Sequence, residues 1–306
     1  MSWLVIIVSV FVLWVASICK VLNRYCSSSK ATFLSNAGGA LLRRNVLLLL
    51  AHPDDESMAE LVVAAPAHVD GVDGGAGRRR RRFMEGGQGK WWQRLAGLGL
   101  ARIVDLGFFT PTINYLTSRG HNIHMLCMST GNADGMGNIR KQELLQASAV
   151  LKVPVDQVKI LDHPDFQDGF GKVWNSNSLA RFIEEEMQNH VVDLIITFDD
   201  YGVSGHCNHR NLNQGVRKLL RDSSRDIEAW ELVSTNILRK YSGPVDVWLS
   251  ILYAMHYPNG QVHCLLNEHP RKTYVAMAQH RSQWVSEAFF IVLQLYVCEH
   301  TQEDQQ

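Results

Sequence analysis

Neither sign of charge is in excess in this chain: Lys plus Arg and Asp plus Glu each count 30 in 306 residues. That balance excludes the broad basic surface that nucleic acid demands and gives no argument for an acidic partner. The six cysteines, Cys19, Cys26, Cys127, Cys207, Cys264 and Cys298, form no C-x-x-C pair and no dense framework. Scattered thiols of this kind exclude a disulfide scaffold and suit a reducing compartment. No basic residue precedes the first apolar run, residues 3–19, so that run lacks the head of a cleaved signal. At 17 uncharged, mostly apolar residues it reaches about the lower limit for a membrane-spanning helix. Lys20, Arg24 and Lys30 all follow it, which places what comes after on the cytosolic side by the positive-inside rule. Residues 1–25 are therefore expected to be an anchor and 26–44 a linker.

With 46% hydrophobic and 20% charged residues, the remainder has the composition of an ordinary globular domain. Its centre of interest is residues 45–56, N-V-L-L-L-L-A-H-P-D-D-E. A short continuous apolar run suits a strand buried on both faces, as in a parallel sheet covered by helices. Ligands of open α/β sheets gather at the carboxyl ends of such strands. Pro53 keeps His52 out of helical backbone, so His52, Asp54 and Asp55 crowd one sharp turn. An imidazole and a carboxylate there can ligate a metal, leaving the second carboxylate to take a proton from water. The plainer alternative is an acidic helix start stabilised by the helix dipole.

Residues 59–107 break the pattern with glycine clusters and five consecutive arginines from Arg78 to Arg82. Such a stretch is expected to be a disordered insert in the domain. Order is expected to resume with a helix at 111–118, a strand at 123–128, a glycine-rich loop at 129–137 and a helix at 139–151. A strand at 158–161 and helix at 179–189 follow, then a strand at 191–198, a helix at 208–220 and a strand at 232–238. Helices at 245–255 and 274–285 complete the reading. Alternating strands and helices predict a Rossmann-like, mostly parallel sheet flanked by helices, preceded by the N-terminal transmembrane helix. The loop at 129–137 has the strand–loop–helix layout of a phosphate cradle, but no G-x-G-x-x-G and no P-loop lysine. Arg140, in the next helix, is placed either to reach an anionic or hydroxyl-rich substrate or to pair with Glu143.

Three strand ends carry chemistry: residues 52–56, 162–168 and 199–209. His206 and His209, three apart near a helix start, can face one cleft, one as ligand and the other as donor to an oxyanion. The strings A-H-P-D-D-E, S-T-G-N-A-D-G-M-G with R-K-Q-E-L, G-V-S-G-H-C-N-H and H-R-S-Q at 280–283 resemble the PIG-L/LmbE family of zinc-dependent de-N-acetylases. The match is nearest to the eukaryotic members that act on N-acetylglucosamine linked to phosphatidylinositol. It covers residues 44–58 and 108–284.

The resemblance implies a Zn2+ ion, or another divalent metal, held by His52, Asp55 and His209. It implies Asp54 as the general base, His206 as oxyanion stabiliser or proton donor to the leaving amine, and Arg140 as a substrate contact. The expected activity is deacetylation of a phosphatidylinositol-linked glycolipid at the endoplasmic reticulum membrane, early in glycosylphosphatidylinositol anchor synthesis, with no nucleic-acid partner. Two departures stand out: Asn208 occupies a position where bacterial members commonly have Asp, and residues 59–107 resemble translated non-coding sequence. Three alternatives stand beside this reading. They are deacetylation of a soluble glucosaminide, a nucleotide-binding module built on the 131–137 loop, and an isoform inactivated by the insert.

Overall fold

The computed structural model describes residues 43–55, 109–169, 171–225, 227–234 and 269–283. It adds short strands at 65–66, 263–266 and 298–301 and isolated positions at 9, 16 and 249. The apolar run at 3–19, the linker to residue 42, most of the 59–107 insert and the helix expected at 245–255 lie outside the described residues. Among the described residues, no helix is long and apolar enough to cross a membrane.

Strand β1 is Asn45–Leu50, as its apolar run predicts. Leu47, Leu48, Leu49 and Leu50 are each at most 1% exposed; burial of each contributes about 1.5–3 kcal/mol. Beside it lie β2 (Ala65–Pro66), β3 (Asn122–Cys127), β4 (Val158–Ile160), β5 (Leu194–Phe198) and β6 (Glu228–Leu232). Their order is β2-β6-β5-β1-β3-β4, with five strands parallel and only β2 antiparallel, against β6. A separate pair joins β7 (His263–Leu266) to β8 (Cys298–Thr301). The chain runs outward from β1 through β3 to β4, then crosses back to β5 on the other side of β1. Between β1 and β5 the order reverses, and beyond their carboxyl ends such a sheet opens a crevice.

Helices α1 (Thr110–Ser118), α2 (Gly137–Val150) and α3 (Ser176–His190) follow in chain order. After them come the short α4 (Gly202–Gly205), α5 (Cys207–Asp222) and α6 (Pro270–Met277). Asn175 caps α3, its side chain accepting from the amides of Asn177 and Ser178. Leu179 and Ile183 then form a buried stripe on α3. At the crossing with α5, a Cβ on Gly215 would stand 2.6 Å from that of Leu179, so glycine there permits the close approach. In α5, Leu212, Val216 and Leu219 are buried at helical spacing with His209 one turn earlier. The stripe that docks the helix on the sheet thus also aims the histidine.

Most expected bounds shift by one to three residues, the helix expected at 179–189 running from Ser176 to His190, and three elements need a physical account. The fourth long strand begins at Leu194, because Val191 adopts left-handed backbone, φ 50°, to close α3 and is 74% exposed. The strand expected at 232–238 lies at 228–232, where the acidic residues Glu228 and Glu231 disguise an otherwise buried edge. The helix expected at 274–285 starts at Pro270, whose fixed φ suits a first turn, and ends at Met277. Residues 278–283 are turns, and they feed the site described next.

Candidate metal centre

The backbone turns sharply after β1, with the Asp55 amide donating to the His52 carbonyl. Oδ2 of Asp55 accepts from the amides of Ala51 (2.6 Å) and His52 (2.8 Å). This fixes the carboxylate and leaves Oδ1 facing inward. Across the crevice, β5 ends at Phe198, whose ring stacks on His209 at 4.2 Å and 3°. Nε2 of His209 lies 3.3 Å from Asp55 Oδ1 and 3.3 Å from His52 Nδ1, and His52 Nδ1 lies 3.9 Å from Asp55 Oδ1. Tetrahedral zinc with bonds of about 2.1 Å needs ligand atoms about 3.4 Å apart. The three donors predicted as ligands form a triangle of that size.

Their tautomers agree with that use. His209 Nδ1 is 3.1 Å from the Gly202 carbonyl, so Nδ1 carries the proton and Nε2 offers its lone pair inward. His52 Nε2 is 3.1 Å from Asp168 Oδ1, a carboxylate that can only accept; Asn208 Nδ2, also 3.1 Å away, is a donor and takes no part in that bond. Donation from Nε2 to Asp168 leaves His52 Nδ1 free to ligate. A carboxylate or carbonyl behind each imidazole is the usual outer layer of a metal site.

Gly202 must be glycine. Its φ is +68°, and a Cβ would approach that of His209 to 2.7 Å. The next residue, Val203, is held at φ 61°, ψ −57°, a conformation that is rare and costly for a β-branched side chain. Asp199 secures it. Its Oδ1 accepts from the amides of Tyr201 (3.1 Å) and Gly202 (2.9 Å) and from Ser234 Oγ (2.7 Å). Ser234 Oγ in turn accepts from the Val203 amide at 2.8 Å. The clamp presents the Gly202 carbonyl to His209.

Asp54, partly exposed, lies beside the triangle, and its Oδ2 accepts from Gln283 Nε2 at 2.7 Å. Burial first, then the adjacent Asp55 carboxylate, push its carboxyl up to about 6. Burial would raise Asp55 as well, but the charges and hydrogen bonds of His209 and His52 overrule it and hold Asp55 far below the ordinary carboxylate range. Burial would lower His52, yet its contacts with Asp168 and Asp55 raise it well above the usual imidazole value; a cation at the triangle would displace the proton from Nδ1. Asp168, despite burial, is lowered to about 2 by His52. His206 goes the other way, down to about 2, through burial and then the neighbouring His52 and His209. Its ring centroid is 4.8 Å from His52, and its Nδ1 accepts from the Asn208 amide at 3.3 Å. A neutral His206 therefore carries its proton on Nε2 and is a hydrogen-bond donor.

Five of the six predicted residues thus gather in one cluster at the ends of β1 and β5, and Arg140 borders it through Asp168. The pairing of Arg140 with Glu143 does not form. Buried Arg140 instead donates to the Gly131 carbonyl and to Asp134 Oδ2 (2.6 Å), and lies 3.8 Å from Asp168. Glu143 accepts from the Ser282 amide and hydroxyl, pinning the 280–283 turn that delivers Gln283. Nor is the 131–137 loop a phosphate cradle. Asn132 Oδ1 already accepts from the Gly137 amide, and its Cβ lies 2.8 Å from where one on Gly137 would stand. Nothing in the sequence alone assigns Asp168 or Gln283 a role, although they lie in the stretches 162–168 and 280–283. Asp168 was one of several acids after β4, and only the fold shows which of them turns inward. His163, from that same stretch, contacts Asp165, Phe166 and Phe182 instead.

Fold and cluster together define an α/β protein with a His/Asp set able to hold a metal ion at the sheet's switch point. The family profile described as GlcNAc-PI de-N-acetylase, PIG-L, matches residues 105–220. The N-acetylglucosaminyl-phosphatidylinositol de-N-acetylase of Bos taurus is 36% identical over 58% of this chain and 69% of its own. A protein of Schizosaccharomyces pombe named "Probable N-acetylglucosaminyl-phosphatidylinositol de-N-acetylase" is 35% identical over 45% of this chain. This chain spans 56% of that relative's length. Among solved structures, the N,N'-diacetylchitobiose deacetylase of Pyrococcus horikoshii aligns over 85% of this chain and 84% of its own, at 12% identity and a TM-score of 0.47. The chain belongs to the PIG-L family of GlcNAc-PI de-N-acetylases.

Proposed function

We propose that this chain hydrolyses the acetamide of N-acetylglucosaminylphosphatidylinositol, releasing acetate, with zinc or another divalent cation held by His52, Asp55 and His209. The observation that carries the reading is the triangle of inward lone pairs, with Asp54 and His206 beside it. The substrate is drawn from the names of the relatives. Zinc held there supplies Lewis acidity, lowering the pKa of water towards about 7 and polarising an amide carbonyl.

The chain's own residues do the rest. Asp54 takes a proton from the attacking water as its oxygen bonds to the amide carbon. Gln283 holds the Asp54 carboxylate in place for that transfer. Neutral His206 donates from Nε2 to the oxygen on which negative charge develops. When the carbon–nitrogen bond breaks, Asp54 returns the proton to the leaving amine, and the products are acetate and the free glucosaminyl lipid. Arg140 borders the cluster through Asp168, and by the family pattern it orients the substrate head group. The apolar run at 3–19 would hold the domain at the cytosolic face of the endoplasmic reticulum membrane. A tether beside a lipid substrate raises its effective concentration without a new contact.

The test is acetate release from the glycolipid in detergent by the full chain. Release that stops on chelation and returns with zinc supports the reading. Release untouched by chelation overturns the metal. Turnover of soluble N-acetylglucosaminides alone overturns the lipid substrate.

A further inference from the structure

Helices α1 and α2 run antiparallel to the strands, so their carboxyl ends lie at the edge of the sheet remote from the metal centre. There they meet the start of α6 around a cavity of about 590 Å³, a size typical of small-molecule sites. Lys152, Arg271 and Lys272 line it with Asn114 and Thr117, and no carboxylate stands among the described lining residues. Burial first, and after it the Lys152 ammonium, lower the Lys272 amine to about 8. A second observation points to a ligand. Asn114 is 3% exposed, lines the cavity, and neither its Oδ1 nor its Nδ2 has a hydrogen-bond partner. A buried polar group left so costs about 1–3 kcal/mol.

We propose that this cavity is a second binding site, for a phosphorylated polyol. The two lysines and the arginine supply charge, and the planar guanidinium suits phosphate oxygens. The amino end of α6 adds its partial positive charge. Asn114 offers a donor and an acceptor side by side, which matches a hydroxyl rather than bare phosphate. The hydroxyl of Thr117 donates to the carbonyls of Ile113 and Asn114, so towards the cavity it is an acceptor for a further ligand hydroxyl. The site is independent of the deacetylase reading.

The experiment compares the melting temperature of the full chain with inorganic phosphate, myo-inositol and myo-inositol 1-phosphate. Inositol phosphate should raise it by several degrees, and more than either fragment at equal concentration. The double variant Lys152→Glu, Arg271→Glu should lose that rise while releasing acetate from the glycolipid at the wild-type rate in detergent. Should the double variant fail to fold, Arg271→Gln at an exposed position reads the same loss in part. Asn114→Leu should keep a response to phosphate and lose the preference for inositol phosphate. A rise equal in wild type and charge variants, or none in wild type, overturns the site. Sedimentation with phosphatidylcholine vesicles, with and without phosphatidylinositol, assigns the source. Inositol-lipid-dependent binding that the charge variant loses means a lipid head group, whereas protection by the soluble compound alone means a free one. Absence of acetate release from wild type would sink the deacetylase reading and leave these thermal data standing.

Discussion

Two aspartates follow two neighbouring strands, Asp55 after β1 and Asp199 after β5, and their surroundings differ in one respect. Both are buried, and both accept two backbone amides from their own turn. Asp55 then turns its remaining oxygen to the imidazoles of His209 and His52, whereas Asp199 gives its second oxygen to the Ser234 amide at 2.6 Å. Asp55 is accordingly held far below the carboxylate range, and Asp199 is raised by burial, which its hydrogen bonds only partly oppose. Burial and backbone hydrogen bonds alone therefore do not mark a ligand. The marker is an oxygen left over, facing groups that can share a cation with it.

The largest effect that separates the two is metal loss. Asp55→Ala, His52→Ala and His209→Ala should each bring zinc from about one per chain to near none, with activity at background, since each removes one of three protein ligands. Elemental analysis after dialysis reads this directly. Wild-type zinc content in all three variants would end the proposed centre. Asp54→Asn should keep its zinc and lose roughly 10²–10⁴-fold in kcat, the contribution of a positioned base. Asp199→Ala should do the opposite of Asp55→Ala. Each buried partner it orphans costs about 1–3 kcal/mol of stability, so the midpoint of denaturation should fall, while zinc at saturating concentration still binds. An Asp199→Ala protein of unchanged stability that has lost its metal would reverse the comparison. Gln283→Ala should leave zinc and fold intact. It should lower kcat roughly ten- to hundredfold, because one hydrogen bond to a charged group is worth about 1.5–3 kcal/mol. The matching Gln283→Glu, which sets a second carboxylate against Asp54, should be slower still.

Much of this site was legible in residues 45–56 and 199–209, for a physical reason. A continuous apolar run of about six residues closed by a turn is too short for a helix of ordinary length and suits an interior strand, and polar clusters at the ends of such strands have one crevice to face. The β1 bounds match to the residue, and the five residues assigned to metal and proton transfer converge. What stayed hidden was set by side-chain direction in irregular backbone. Asp168 reaches His52 through a loop whose course depends on Trp174, which packs 6.2 Å from His52 and ties its indole N–H to the Gln167 carbonyl. Gln283 arrives on turns that look like helix by periodicity, and Glu143 holds them from a distance of 139 residues along the chain. Neither geometry has a period to detect. Of the insert at 59–107 only Ala65–Pro66 is described, and it pairs with β6 where disorder was expected; the readings of the remaining insert and of the apolar run at 3–19 stand as expectations.

The prediction with the smallest effect on turnover tests whether the Asp199 side of the crevice is as electrostatically costly as its burial implies. Glu231 on β6 is 2% exposed. Its Oε1 accepts from Asn213 Nδ2 and, at 3.4 Å, from Arg217 Nε. The contact with Arg217 argues for a charged carboxylate, but burial outweighs it and, with the Asp199 charge adding, pushes Glu231 up to about 8. The unfolded chain, with an ordinary value of 4.5, releases this proton as pH rises past 4.5, while the folded chain keeps it until about 8. Folding then binds a proton across that window, so the contribution of Glu231 is most favourable below pH 4.5 and declines as pH rises to 8. Glu231→Gln retains an acceptor for Asn213 and has no proton to lose. Relative to wild type, it should be near neutral or slightly destabilised at pH 5 and gain about 1.4 kcal/mol for each unit above that, on the order of a few kcal/mol by pH 8. Urea denaturation of both proteins across that range reads the difference. If the variant instead loses ground as pH rises, Glu231 is ionised in the folded protein, and its attraction to Arg217 exceeds the cost of burying it.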